Sequence, residues 1–202
     1  MIASGIDLAG VQKRPSGFCV VDTDSMHATT RLLYTDIDLV KAVEESNPAV
    51  VAIDAPLSIP KGRRSLEERS PIHLRKCDRE LLKRGIKFFP VTLGPMRKLT
   101  ARGISLMEEL RRQGFRVIEV YPGGAQDILG IPRKQRGLSQ LRLALERLGV
   151  KGLREGMSDH ELDAVTSALV AKMYLEGNYT ALGDPQEGLM IMPRGPPALR
   201  QP

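Results

Sequence analysis

The sequence predicts an α/β domain: a mixed sheet of about five strands with helices on both faces and a basic helical insertion. Three observations lead there. The chain has 202 residues, 42% apolar and 27% charged, enough for one well-buried core and ordinary for a globular protein. Three β-prone runs joined by short turns open it, which asks for an antiparallel meander. Strand-like and helix-like periods then alternate, which asks for crossovers that lay later strands parallel to the first. No long linker divides the chain, so residues 1–193 are expected to form a single domain with its basic insertion at about 61–102. Residues 194–202, rich in Pro, are expected to be a mobile tail.

The elements follow in order. Residues 2–9 are apolar and strand-like, Gln12 to Gly17 is a turn, and Phe18 to Asp22 is a second strand. Asp24-Ser25 has turn chemistry, and Thr29 to Tyr34 is β-prone. Thr35 to Asp38 has capping-box form, opening a helix expected to bury Ile37, Val40 and Val43 and to stop near Asn47-Pro48. Ala49 to Ile53 is a continuous apolar run, as a strand buried on both faces requires. Ile72 to Arg84 is expected to be helical, while Phe88 to Pro95 holds too much Pro and Gly for a regular element. A helix over Ile104 to Gln113 closes at Gly114, a fifth strand runs from Phe115 to Tyr121, and another helix covers Leu138 to Leu148. Ser158 and Glu161 form a second capping box, starting a helix whose Leu162, Val165, Leu169 and Met173 face the core. This is the element order of the ribonuclease H-like fold.

Five acidic residues sit where these elements would deliver them to one place. Asp7 lies in an apolar strand, Asp54 ends the run Ala49–Asp54, and Glu119 lies in Val117-Ile118-Glu119-Val120. Asp159 and Asp163 stand four apart at the start of the last helix. A carboxylate in a buried strand is costly unless it is paired or bound to a cation. Several together suggest a cluster for hard cations. Three of them have a plainer reading. Asp54 could cap its Pro-containing turn, Glu119 could pair with an arginine of the insertion, and Asp159 lies where the helix dipole alone favours an acid. Glu161 is occupied by capping, and His160 is either a general acid or an ordinary helix-start residue.

The net charge of +6 is unevenly placed. Residues 61–102 hold 13 Lys or Arg and four acids, a net +9, so the rest of the chain is −3. That is the footprint of a polyanion partner, with a solvated surface as the plain alternative. Arg75, Lys76, Arg79, Lys83 and Arg84 fall at helical spacing and are the candidate phosphate contacts. With four Phe, four Tyr and no Trp, the chain lacks the material for a base-stacking platform; Phe88-Phe89 reads as core.

No run approaches the length of a membrane span, and the N-terminus lacks the basic region of a signal peptide. Cys19 and Cys77 have no disulfide or zinc spacing and are expected to be reduced thiols of a cytoplasmic protein.

Several stretches resemble the family of nucleases expected to have a ribonuclease H fold, catalogued as domain of unknown function 429. They are Gly5–Ala9, Ile53–Pro60, Cys77–Arg79, Gly85–Pro90, Val117–Pro122, the acidic helix start at Asp159 to Ala164, and Gly183–Gly188. The resemblance spans about residues 2–193. It implies a ribonuclease H-like fold and a nuclease hydrolysing phosphodiester bonds in DNA or RNA. On that reading the carboxylates Asp7, Asp54, Asp159 and Asp163 would hold Mg²⁺ or Mn²⁺, and Asp7, Asp54, Glu119 and Asp163 would be the catalytic set. Two-fold symmetric cutting would favour a homodimer. Two other readings stay open. One is a nucleotide-binding phosphotransferase of actin-like fold, using Gly5-Ile6-Asp7 with Lys13 and Ser16 as a phosphate loop. The other is a nucleic-acid-binding protein without catalysis.

Overall fold

The computed structural model describes residues 1–195. Its strands are β1 (Ile2–Asp7), β2 (Ser16–Asp22), β3 (Ala28–Leu33), β4 (Val50–Asp54), β5 (Val117–Val120), β6 (Tyr179–Asp184) and β7 (Gly188–Pro193). They form one sheet in the order β3-β2-β1-β4-β5-β7-β6. The opening meander is antiparallel, and β1, β4, β5 and β7 run parallel to one another. The last two strands, an antiparallel hairpin, extend the sheet beyond the expected five.

The helices are α1 (Asp36–Ser46), α2 (Lys76–Lys83), α3 (Gly94–Arg112), α4 (Pro122–Ile128), α5 (Leu138–Arg147) and α6 (Asp159–Leu175), with a 3₁₀ turn at Lys134–Arg136. Alternation along the strands divides the core into two layers. Ile6, Phe18, Val51 and Ile53 meet Leu39 and Val43 of α1 and Leu106 and Leu110 of α3. On the other face Ala3, Ala52, Ile118 and Val120 meet Val170 and Ala171 of α6.

Helix α6 decides where the acids go. It lies directly on β1 and β2 because two strand positions carry no side chain. A Cβ at Gly5 would stand 2.2 Å from the Ala164 carbonyl oxygen, and one at Gly17 would stand 2.0 Å from that of His160. Ala164, Ala168 and Ala171 keep the helix side of this contact small. Backbone meets backbone here, so the first turns of α6 are pressed over the ends of β1 and β4.

Both capping boxes form as expected, Thr35 with Asp38 and Ser158 with Glu161. Other expectations need correction. Helix α1 buries Leu39, Ala42 and Val43, with Val40 only partly buried and Ile37 80% exposed, because Ile37 stands two residues before Leu39 and so on the opposite side of the helix from that stripe. Residues 72–75 are not helical. The Arg63 guanidinium gathers the carbonyls of Ser65, Leu66, Glu68, Ser70 and Ile72, which fixes this stretch as a loop until α2 begins at Lys76. Helix α3 starts ten residues before Ile104, with Pro95 in its first turn where a missing N–H costs nothing. The tail expected over 194–202 falls outside the described residues from 196 onward; Arg194 still donates its N–H to the Asn178 carbonyl at 3.3 Å.

Candidate active site

Parallel pairing puts Asp7 and Asp54 side by side, as register partners at the last residues of β1 and β4. Both therefore emerge at the carboxyl edge of the sheet, where open α/β folds place their ligands. Helix α6 supplies the third side. Its His160 and Asp163, one turn apart, face the same edge. The His160 Nδ1 lies 2.6 Å from Asp7 Oδ2. Asp163 accepts from Gln126 Nε2 at 2.9 Å and pairs with Lys134 Nζ at 2.8 Å. Lys134 Nζ also reaches Asp159 Oδ2 at 3.1 Å. Asp7, Asp54, Asp159 and Asp163 thus converge around one lysine carried on the 3₁₀ turn.

The electrostatics are those of crowded negative charge. Burial first, then the carboxylates of Asp7 and Asp163, push Asp54 well above the usual carboxylate range. Asp54 keeps some surface exposure, but protein atoms crowd its carboxyl. Burial also raises Asp163; Lys134 opposes this, Asp7 reinforces it, and the net effect is upward. Burial would raise Asp159 too, yet Lys134 and His160 outweigh it and hold this acid low. His160 is raised by its hydrogen bond to Asp7, against partial burial. Burial would lower Lys134, but Asp163, Asp7 and Asp159 raise it, so its ammonium stays charged.

Glu119 does not join this group. Register explains why: Glu119 pairs with Ile53, whereas Val120 pairs with Asp54. One residue of offset turns a strand side chain to the other face. Glu119 instead makes two bonds to Arg75, Nη1 to Oε2 at 2.7 Å and Nη2 to Oε1 at 2.8 Å, and accepts the Leu57 N–H at 2.7 Å. Asp78 takes Arg75 Nε at 3.2 Å and Nη2 at 3.0 Å, and the Ser58 hydroxyl takes Nη1 at 3.3 Å. All five guanidinium donors are used. Arg75 is 2% exposed, so the expectation that it touches a phosphate backbone is corrected along with the catalytic assignment of Glu119. A pocket of about 180 Å³, walled by Phe88, Phe89, Met96, Leu99 and Tyr121, separates this network from Asp54.

The other four basic candidates, Lys76, Arg79, Lys83 and Arg84, are exposed on α2 and its C-terminal cap. The excess charge of the insertion is partly internal, since Arg63, Arg75 and Arg102 are buried and hold backbone carbonyls or acids. The phosphate-loop alternative loses its hydroxyl. Ser16 is buried, and its Oγ accepts the Ala9 N–H at 3.0 Å. Sequence reasoning missed Lys134 and Gln126 and left His160 open. The only signal for His160 was its three-residue spacing from Asp163.

The donor set suits a hard divalent cation: carboxylate oxygens in excess over cationic partners, with raised acids that a positive charge would relieve. Among the described residues no three acidic, histidine or cysteine side chains already enclose a common point. The Lys134 ammonium stands in that role, bridging Asp159 and Asp163.

Residues 5–187 match the family described as "Protein of unknown function (DUF429)", and the chain belongs to that family. No curated protein sequence matches it significantly. Among solved structures it is similar to T. thermophilus RuvC in complex with a Holliday junction substrate. The TM-score is 0.55 and the identity 16%, over 88% of this chain and 97% of that one. It is also similar to a Thermus thermophilus RuvC structure, with TM-score 0.50 and 15% identity over the same shares. The likeness extends over nearly the whole of each chain, and the fold is ribonuclease H-like.

Proposed function

We propose that this DUF429 chain is a divalent-metal-dependent phosphodiester hydrolase, a nuclease acting on DNA or RNA. The observation that carries the reading is the convergence of Asp7, Asp54 and Asp163 at the carboxyl ends of two adjacent parallel strands, under a helix seated on glycine. Fold likeness alone would not support it, since one fold hosts many activities.

On this reading Asp7, Asp54 and Asp163 offer oxygen ligands to Mg²⁺ or Mn²⁺, and Asp159 holds Lys134 in reach. When bound, the metal activates water and stabilises the leaving oxygen of a phosphodiester. The chain's own groups divide the remaining work. Protonated His160 donates from Nδ1 to Asp7 and carries a second proton on Nε2, which suits it to protonating a leaving oxygen. Gln126 fixes the rotamer of Asp163. The exposed cations of α2 are offered to phosphates. Branched DNA belongs among the substrates to be tried, since one structural neighbour was solved with a Holliday junction substrate; a two-fold dimer would present two such sites to it.

The test is Asp7→Asn, which keeps size and removes charge. Labelled duplex, four-way junction, single-stranded DNA and RNA are incubated with Mg²⁺ or Mn²⁺, with chelator as the control. Metal-dependent cleavage should fall by about 10²–10³-fold, the scale of losing one electrostatic stabiliser, while the melting transition stays cooperative. Unchanged cleavage by the variant overturns the proposal.

A further inference from the structure

A basic groove lies on the other side of Asp7 from α2. The turn after β1 brings Lys13 and Arg14 opposite Arg97 and Lys98 in the first two turns of α3, across an open groove of about 770 Å³. Among the described residues Glu67 is the only acid lining it, and it pairs with Arg97 at 3.2 Å. Lys13, Arg14 and Lys98 are exposed and form no ion pair among the described residues.

This arrangement is held firmly. The buried Arg102 of α3 donates to the Ala9 carbonyl at 2.6 Å, to the Tyr34 carbonyl at 2.9 Å and to Asp36 at 2.8 Å. Gln12 adds a bond to Asp36 at 2.8 Å. The turn runs beside the helix at Gly10, where an added Cβ would meet the Leu99 nitrogen at 3.5 Å, an ordinary contact. One arginine therefore sews the end of β1 to α3 and fixes like charges face to face. Such a convergence is unfavourable for the free protein, and Arg97 in the first turn of α3 also opposes the helix dipole. A bound polyanion would reverse both effects.

Position supplies the rest. The groove begins at Gly10, three residues past Asp7. Its walls Met96 and Leu99 are shared with the pocket that reaches Asp54, so the cations lead into the acidic site. We infer that Lys13, Arg14 and Lys98, assisted by Arg97, form the principal track for the phosphate backbone entering the site, ahead of the exposed face of α2. The inference rests on the nuclease reading and specifies where its substrate lies.

The experiment compares two charge removals in the Asp7→Asn background, so that nothing is cut. One variant carries Lys13→Gln, Arg14→Gln and Lys98→Gln; the other carries Lys76→Gln, Arg79→Gln, Lys83→Gln and Arg84→Gln. Fluorescence anisotropy over a salt series is read on duplex, four-way junction, single-stranded DNA and RNA. The groove variant should bind at least tenfold more weakly at low salt. On duplex its log–log salt slope should flatten by about two to three, near 0.9 for each phosphate that is no longer neutralised. The α2 variant should change less in both respects. A groove variant that keeps the parent affinity and slope, or an α2 variant that loses more, overturns the track while leaving the nuclease reading intact. If the Asp7→Asn parent binds none of the four nucleic acids, both the track and the nuclease reading fail together.

Discussion

Two clusters of buried charge lie within one pocket's width of each other, and they are built on opposite terms. Around Arg75, every donor of the guanidinium meets Glu119, Asp78 or Ser58, and Glu119 takes a backbone N–H besides. Around Asp54, the neighbours that act on the carboxylate are other acids, Asp7 and Asp163, relieved by Lys134. The first cluster is closed and has nothing left to bind. The second is open, and its strain is expressed as raised acids. Sequence alone would rank Glu119 and Asp54 alike, as acids ending apolar strands before a proline. Satisfaction of hydrogen bonds tells them apart, and it makes the less satisfied cluster the candidate site on the proposed reading.

Substitutions should break the symmetry between the two in sign as well as size. The largest effect belongs to Glu119→Gln. It leaves Arg75 buried with one partner reduced, and breaking a buried ion pair costs about 3–5 kcal/mol. Urea unfolding should show a loss on this scale; a change under about 1 kcal/mol would mean the network is not holding α2 to β5.

Lys134→Met comes next, because the lysine is one-third exposed and shares its charge between two acids. Without divalent ions, stability at pH 8 should drop by about 1–3 kcal/mol. Asp163 is raised, so the loss should shrink as the pH falls and that acid takes up a proton. Added Mg²⁺ should restore part of the loss at pH 8. A pH-independent loss would show that Lys134 acts by packing alone.

Asp54→Asn should have the smallest effect and the opposite sign. The folded protein holds the Asp54 proton more tightly than the unfolded chain does. Stability is therefore lost as pH rises from the ordinary aspartate value, about 3.9, towards the raised one. Removing the carboxylate should stabilise the metal-free protein by about 0.5–2 kcal/mol at neutral pH and leave it unchanged near pH 3. Thermal melts in chelator over this range would reveal it; destabilisation at pH 7 would place Asp54 with the closed cluster.

What could be read in the sequence was what depends on neighbours along the chain. Thr35 with Asp38 and Ser158 with Glu161 were legible because capping spans four residues. Asp7 and Asp54 were legible because one interrupts an apolar run and the other ends one. Glu119 looked equivalent, but its facing depends on the pairing of β5 with β4, which no local pattern states. Lys134 was invisible because its partners are 25 and 29 residues away and its own turn is polar and irregular. Helix α4 was hidden by Gly123 and Gly124, poor helix formers that Pro122 and packing override. The final hairpin was masked by Gly183 and Gly188, whose φ angles of 114° and 137° sit inside the strands themselves.

Lys134 has a further consequence. An ammonium fastened to the chain cannot be diluted or dialysed away. It competes for the acids at a fixed local concentration, on the order of millimolar for a short tether. On the proposed reading, a free cation must displace a resident rival before it can occupy the site. The apparent affinity for Mg²⁺ would be weakened by the ratio of that local concentration to the ammonium's own dissociation constant for the acids. The one-turn 3₁₀ segment thus sets the size of that weakening, and lengthening its loop would lessen it without touching any acid.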